Sequence, residues 1–277
     1  MIEIQNVCFG YGKYANVFNG ISMQLKAGNI YGLLGENGVG KTTFLRLVSG
    51  LLFPKEGSIR VNGFEPKKRK ADFLKDIFYV PETFVAPKLS CNEYASTRGV
   101  FYPHYNAEQF HTYLHEFGVE ANKKIAECSH GQQKKIMIAF ALACNTPLLL
   151  MDEPTNGLDI PSKASFRKLI AQIATEDKCI VISTHQVRDL ENLIDPIVIL
   201  EYNQILLNNS LEEITKKLKF GIHETKNDLC LYSEPALGGY YMVEMNHDGT
   251  ESKVNIEMLF NAAIQNKDLF KKLFLNK

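Results

Sequence analysis

The stretch Ile30-Tyr-Gly-Leu-Leu34 is an apolar run that leads straight into Gly35-Glu36-Asn37-Gly38-Val39-Gly40-Lys41-Thr42-Thr43. Residues 42–49 then have helical spacing and stop at Gly50, a plausible glycine just past a helix end. The glycine-rich segment satisfies G-x-x-x-x-G-K-[ST] and stands between a predicted strand and a predicted helix, the context that gives this pattern meaning. Its glycines let successive backbone N–H groups, those of residues 36–43, curl around phosphate oxygens, and the helix N-terminus adds the positive end of a dipole. Lys41 has the length to reach β- and γ-phosphates, and the Thr42 hydroxyl suits Mg²⁺.

Outward from this loop, Leu148-Leu-Leu-Met-Asp152-Glu153 is an apolar strand ending in two acids, and residues 179–183 form a second short apolar run. Continuous apolar runs of this length are how strands buried on both faces of a parallel sheet read. Between them residues 161–174 carry Phe166, Leu169, Ile170 and Ile173 on one helical face, giving a strand-helix-strand crossover. Asp152 at a strand tip is placed to hold Mg²⁺ through water, and Glu153 to polarise an attacking water as general base. Alone, a strand followed by Asp-Glu is more often a solvated turn; beside the phosphate loop the chemical reading wins.

The remaining chain is predicted as follows. Residues 2–7 and 18–25 alternate as half-buried strands, with a turn at residues 27–29. Asn106-Ala-Glu-Gln109 resembles a capping box, followed by Phe110, Tyr113, Leu114 and Phe117 at helical spacing before Gly118, inside a mostly helical insert over about 87–145. Residues 197–200 and 204–207 pair as a hairpin around Tyr202-Asn203, and Ser210-Leu-Glu-Glu213 caps a short helix through Leu218. Beyond Phe220 the character changes to short strands, Gly238-Gly239, and a helical region over 256–274. The expected fold is α/β: a P-loop NTPase domain over 1–218 with its helical insert, and a small α+β C-terminal extension over 219–277.

Composition bounds the partners. The 277 residues carry 31 basic and 31 acidic side chains and are 45% hydrophobic. That composition is ordinary for a globular chain and offers no global field for nucleic acid or an anionic membrane. Six scattered cysteines form no C-x-x-C pair, so neither a zinc site nor a disulfide framework is expected, and a reduced cytosolic setting fits. The amino terminus lacks the basic and apolar regions of a signal peptide, and no apolar run approaches the roughly 18 residues of a bilayer span. Pro66-Lys-Lys-Arg-Lys70 lacks interleaved aromatics and reads as a solvated face, not a nucleic-acid patch.

From residue 1 to about 207 these ordered motifs resemble the ATP-binding subunit of ATP-binding cassette (ABC) transporters, in the exporter-like branch whose permease is encoded separately. The resemblance implies that Tyr11, in Phe9-Gly-Tyr11-Gly, stacks on adenine, with Phe9 and Tyr14 as rival platforms. Cys128-Ser-His-Gly-Gln132 stands at the family signature, usually Leu-Ser-Gly-Gly-Gln. Cys128 and His130 depart from it, while Ser129, Gly131 and Gln132 keep it. By resemblance Ser129 and Gly131 contact the γ-phosphate held by a second subunit, and Asp159 of Gly157-Leu-Asp159 lies in a loop that crosses the dimer interface. His185, in Ser183-Thr-His185, corresponds to the switch histidine that bonds the γ-phosphate and holds Glu153 and water in line. Glu82, in Phe78-Tyr-Val-Pro-Glu82, stands where the family commonly has Gln, and is carried over as a metal-site and coupling residue.

The implied function is that of an ATPase subunit, peripheral on the cytoplasmic face of the membrane, that drives a separate permease through head-to-tail dimerisation around ATP and Mg²⁺. Two rivals are a soluble ABC ATPase acting on nucleic acid or ribosomes and a weakly hydrolysing ATP-sensing subunit. The neutral charge and the absence of a second cassette or long coiled-coil insertion disfavour the first. No nucleic-acid partner is expected, and cargo is not legible.

Overall fold

The computed structural model describes residues 1–12, 15–226 and 230–275. In chain order it runs β1 (Ile2–Tyr11), β2 (Ala15–Leu25), β3 (Asn29–Leu34), α1 (Lys41–Val48), β4 (Glu56–Val61), α2 (Ala71–Leu74), β5 (Ile77–Val80), α3 (Cys91–Gly99), α4 (Ala107–Glu116) and α5 (His130–Ala143). It continues through β6 (Leu148–Asp152), α6 (Ile160–Ile173), β7 (Cys179–Thr184), β8 (Ile197–Glu201), β9 (Gln204–Asn209), α7 (Leu211–Thr215), β10 (Leu218–His223), β11 (Tyr232–Ala236), β12 (Gly239–Met245), α8 (Ile256–Gln265) and α9 (Lys267–Phe274).

A six-stranded sheet in the order β5-β6-β7-β3-β8-β9 is the frame; it is parallel except for the edge strand β9. Its inner strands are buried on both faces, which is why they read as continuous apolar runs. Leu33, Leu148, Leu150, Cys179 and Val181 face one core cluster with α1 and the antiparallel sheet β2-β1-β4. Their neighbours Leu34, Leu149, Met151, Ile180 and Ile182 face the other, with α5 and α6. The period-two alternation of side chains across a strand assigns each residue its layer.

Parallel strands end on the same edge, and register decides what meets there. Leu34 pairs with Thr184, Asp152 with Ser183, and Val80 with Met151. The loop after β3, the acids after β6, the histidine after β7 and Glu82 after β5 therefore emerge side by side, at the carboxyl end of the sheet where open α/β folds place ligands.

Local expectations hold with two corrections. Asn106 caps α4 by accepting from the Gln109 amide, but the Gln109 side chain accepts from Asn145 Nδ2 at 2.6 Å and does not close the box. The helix expected through Leu218 ends earlier: Ser210 and Glu213 form its capping box, α7 stops at Thr215, and Leu218 opens β10. Leu218 and Phe220 are buried, and their alternation fits a strand laid on the core.

The sheet β10-β12-β11, turned at Gly238-Gly239, and the helices α8 and α9 make up the carboxyl-terminal part. Phe220, Val243, Leu259 and Phe270 join the same apolar cluster as Ile199 and Leu207. Lys267 of α9 reaches the buried Glu201 at the end of β8, at 2.8 Å.

Candidate functional site

Gly35 leaves β3 with no room for a side chain, since a Cβ there would stand 2.8 Å from the Leu200 carbonyl and 2.6 Å from Val39 Cγ1. Gly38 and Gly40 take φ of 83° and 113°, conformations that favour glycine. Gly40 is the N-cap of α1 and supplies no side-chain acceptor, so the first-turn N–H groups of α1 are left for a ligand. Lys41 is buried and its ammonium donates to the carbonyls of Gly35 (2.8 Å) and Glu36 (3.2 Å), with Glu153 Oε1 at 3.6 Å.

The two acids at the end of β6 have different surroundings. Asp152 is almost wholly buried and accepts from the Ser183 hydroxyl (2.7 Å) and the Tyr79 hydroxyl (3.2 Å). Burial and the adjacent Asp152 push the Tyr79 phenol up to about 12, so it remains a donor. Glu153 sits at φ 46°, left-handed for a non-glycine residue. Its amide donates to the Ser183 carbonyl (3.2 Å) and hydroxyl (3.1 Å). Its Oε2 accepts from the His185 amide (3.3 Å) and lies 2.9 Å from His185 Nδ1. With the carboxylate beside Nδ1, Nε2 is the ring nitrogen left for a ligand.

Tyr11, Asn37, Gly38, Gly40, Lys41, Thr42, Thr43, Glu82, Asp152, Glu153 and His185 all line one cleft of about 610 Å³. Tyr11 is half exposed and its hydroxyl meets Thr43 Oγ1 at 3.0 Å, so its ring stands at the rim. Phe9 is buried, edge-on to Tyr11, and so offers no face; Tyr14 lies outside the described residues. Glu82 accepts from Asn156 Nδ2 at 3.2 Å. A hydroxyl (Thr42) and a carboxylate already holding two O–H donors (Asp152) fit Mg²⁺, which keeps several waters and phosphate oxygens and takes few protein ligands. No cluster of three or more His, Cys, Asp or Glu shaped for a metal occurs among the described residues.

The signature residues do not line that cleft. Ser129 is the N-cap of α5 and forms a reciprocal capping box with Gln132. Gly131 packs against the turn at Gly157, where a Cβ would lie 3.2 Å from the Gly157 carbonyl. His130 is exposed at the helix start, and Cys128 is buried in the core with its thiol pushed up by burial, so it serves as a small apolar residue in the place of leucine. Asp159 caps α6 through Ser162 and pairs with Lys135 at 3.3 Å.

Tyr79, Ser183 and Asn156 have roles here that the sequence reading did not assign. So does Lys134, whose buried ammonium donates to the carbonyls of Glu153 (2.8 Å) and Asn156 (3.0 Å). Ser183 and Tyr79 lie on strands adjacent to β6, so a register guess could have found them; Lys134 sits in a Gln-Gln-Lys-Lys run that reads as solvated surface.

A family model described as ABC transporter matches residues 18–156. The "ABC transporter ATP-binding protein NatA" of Bacillus subtilis is 31% identical over 73% of this chain and 85% of its own length. The linearmycin resistance ATP-binding protein LnrL of the same organism is 30% identical over 90% of this chain and 76% of its own. Among solved structures, an ATP-binding subunit of an ABC transporter superposes with TM-score 0.70 at 26% identity, covering 77% of this chain and 91% of that one. A dimeric ATP-binding cassette in a post-hydrolysis state with ADP and Pi gives 0.67 at 25% identity, over 76% and 99%.

Proposed function

Because this chain belongs to the ABC transporter ATP-binding family, we propose that it is the ATPase subunit of an exporter, acting on a separately encoded permease from the cytoplasmic face of the membrane. The observation that carries the reading is the single cleft in which the phosphate loop, Asp152, Glu153 and His185 converge.

In this reading Tyr11 stacks on adenine, and the N–H groups of residues 36–43 with Lys41 hold the phosphates. Lys41 exchanges its two loop carbonyls for phosphate oxygens, a charge-assisted gain. Thr42 and Asp152, with Glu82 at the rim, hold Mg²⁺, which when bound offsets charge on the phosphates. Glu153 takes a proton from water as its oxygen bonds to the γ-phosphorus and the bond to ADP breaks, giving ADP and phosphate. His185 orients that carboxylate through Nδ1 and meets the γ-phosphate through Nε2.

Ser129, Gly131, Gln132 and Asp159 serve the cleft of a second copy packed head to tail. Their position outside their own cleft supports this, as does the helix N-terminus of α5 facing outward for an anion. The permease docks in a groove of about 870 Å³ walled by Tyr79, Phe84, Val85, Arg98, Phe101 and Met137. Val85 (95% exposed) and Phe101 (65%) are large apolar side chains left in water there. Tyr79 joins that groove to Asp152. Among the described residues no helix is long and apolar enough to cross a membrane, so the pathway for cargo belongs to the partner.

The test has two arms. Glu153→Gln should lower turnover by a factor on the order of 10² or more and accumulate an ATP-bound dimer on gel filtration. The tagged chain, purified from gently solubilised membranes of its host, should bring down a polytopic protein without its own ATPase. Normal hydrolysis by Glu153→Gln removes Glu153 from the base role; copurifying ribosomes or nucleic acid in place of a membrane protein removes the transport reading.

A further inference from the structure

Lys134 is the one buried cation near the site, among the described residues, that the chemistry above does not use. It lies in the second turn of α5 and is 7% exposed. Burying an ammonium is costly unless it is well paired, and burial does lower the Lys134 pKa, against the raising fields of Glu82, Glu153 and Asp152. Its direct partners are not those carboxylates but two backbone carbonyls of one turn, Glu153 at 2.8 Å and Asn156 at 3.0 Å. The first belongs to the residue whose φ of 46° is the strained point of the site. The Asn156 amide also donates to the Glu153 carbonyl, at 3.2 Å.

Two further contacts join the same helix to the same turn. Gly131 faces the Gly157 carbonyl, 3.2 Å from where a Cβ would stand, and Lys135 pairs with Asp159. The Lys135 pair, to an exposed carboxylate, is weak by itself; the buried ammonium is the rigid link. The start of α5, with Ser129 at its cap, is thus fastened to the peptide that aims the Glu153 carboxylate.

We propose that Lys134 is a positioning residue: it transmits closure of a second copy's nucleotide on Ser129 and Gly131 to the Glu153 backbone of the same chain, so that each cleft becomes reactive when its own signature is engaged. This rests on the head-to-tail reading above. Its consequence is cooperativity between the two clefts, with hydrolysis and not nucleotide affinity as the coupled quantity.

Lys134→Met, similar in length and without charge or donor, is the decisive variant in the full chain. Turnover should fall by about tenfold to a hundredfold, the scale of a misplaced reacting group. The Hill coefficient for ATP should fall to 1, and ATP affinity should stay within about twofold. Lys134→Gln keeps one amide donor and should recover part of the rate; if the Met variant fails to fold, the Gln variant carries the same comparison. Glu153→Gln and Glu153→Gln/Lys134→Met should form the ATP-bound dimer equally well. Failure of Glu153→Gln itself to dimerise sinks the shared-site reading. Dimerisation of the single but not the double variant overturns the inference, since Lys134 then shapes the interface. So does Lys134→Met with unchanged turnover per folded molecule and unchanged cooperativity, whatever its melting temperature.

Discussion

At Glu153 a non-glycine residue holds φ 46°, a conformation that costs on the order of 1–3 kcal/mol and persists only where the surroundings over-determine it. Ser183 on its amide, Lys134 on its carbonyl and His185 on its carboxylate are those surroundings. Tyr11 depends on little but its ring: if it stacks on adenine, Tyr11→Ala should weaken ATP binding by about 1–3 kcal/mol, read by nucleotide titration, with turnover at saturating ATP unchanged. Asp159 offers a pH test. Donation from Ser162, then the Lys135 charge, holds its pKa at about 2, below the usual 3.8. A depressed carboxylate pKa stabilises the fold above the unfolded value and the gain is lost as pH falls through the folded one. The stability difference between the protein and Asp159→Asn should therefore be constant above pH 3.8 and vanish towards pH 2, in melts recorded across that window.

Among the elements, α5 has two jobs, and Phe140 shows the structural one. Its ring is packed by Phe78, Tyr94, Tyr102, Tyr105 and Phe110 with centroids 5.0–6.3 Å away. Phe140→Ala should cost about 3–5 kcal/mol and lower Tm by on the order of 10 °C, measured calorimetrically. The same helix shows what a sequence can carry. The sequence reads as helix only from Gln132, two residues after α5 begins at His130, because the Ser129–Gln132 capping box was not recognised; β3 with its loop was legible because strand, glycines and helix are contiguous. The C-terminal strands were legible only as short alternating stretches. Gln109 was misjudged because its side chain answers to Asn145, distant in sequence. The end of α7 was missed because Leu218 continues a helical spacing until the core claims it for β10. Lys134 was invisible for a related reason: a lysine beside a lysine reads as solvent-facing until the fold buries one of them.

Across the whole molecule, the groove and the cleft are linked by one hydrogen bond, from the groove-lining Tyr79 hydroxyl to the cleft-lining Asp152 carboxylate. Replacing Phe101 and Val85 together by Asp should abolish copurification of the membrane partner while leaving basal ATPase within about twofold, since surface changes away from the cleft usually shift stability little. Retained association would place the partner on another face. The sheet order has a separate consequence, for assembly of the chain. β3, which carries the nucleotide loop, has β7 and β8 as its neighbouring strands among the described residues: Asn29 pairs with Cys179 and Gly32 with Ile197. Everything from the loop to the end of α6 must be excursed before that strand is flanked, a high-contact-order closure of the slow kind. The floor under Gly35 thus solidifies late, and a molecule that binds only the finished loop draws the equilibrium toward it by mass action. For this chain the fuel is therefore also a ligand of the folded state, and nucleotide should raise its melting temperature.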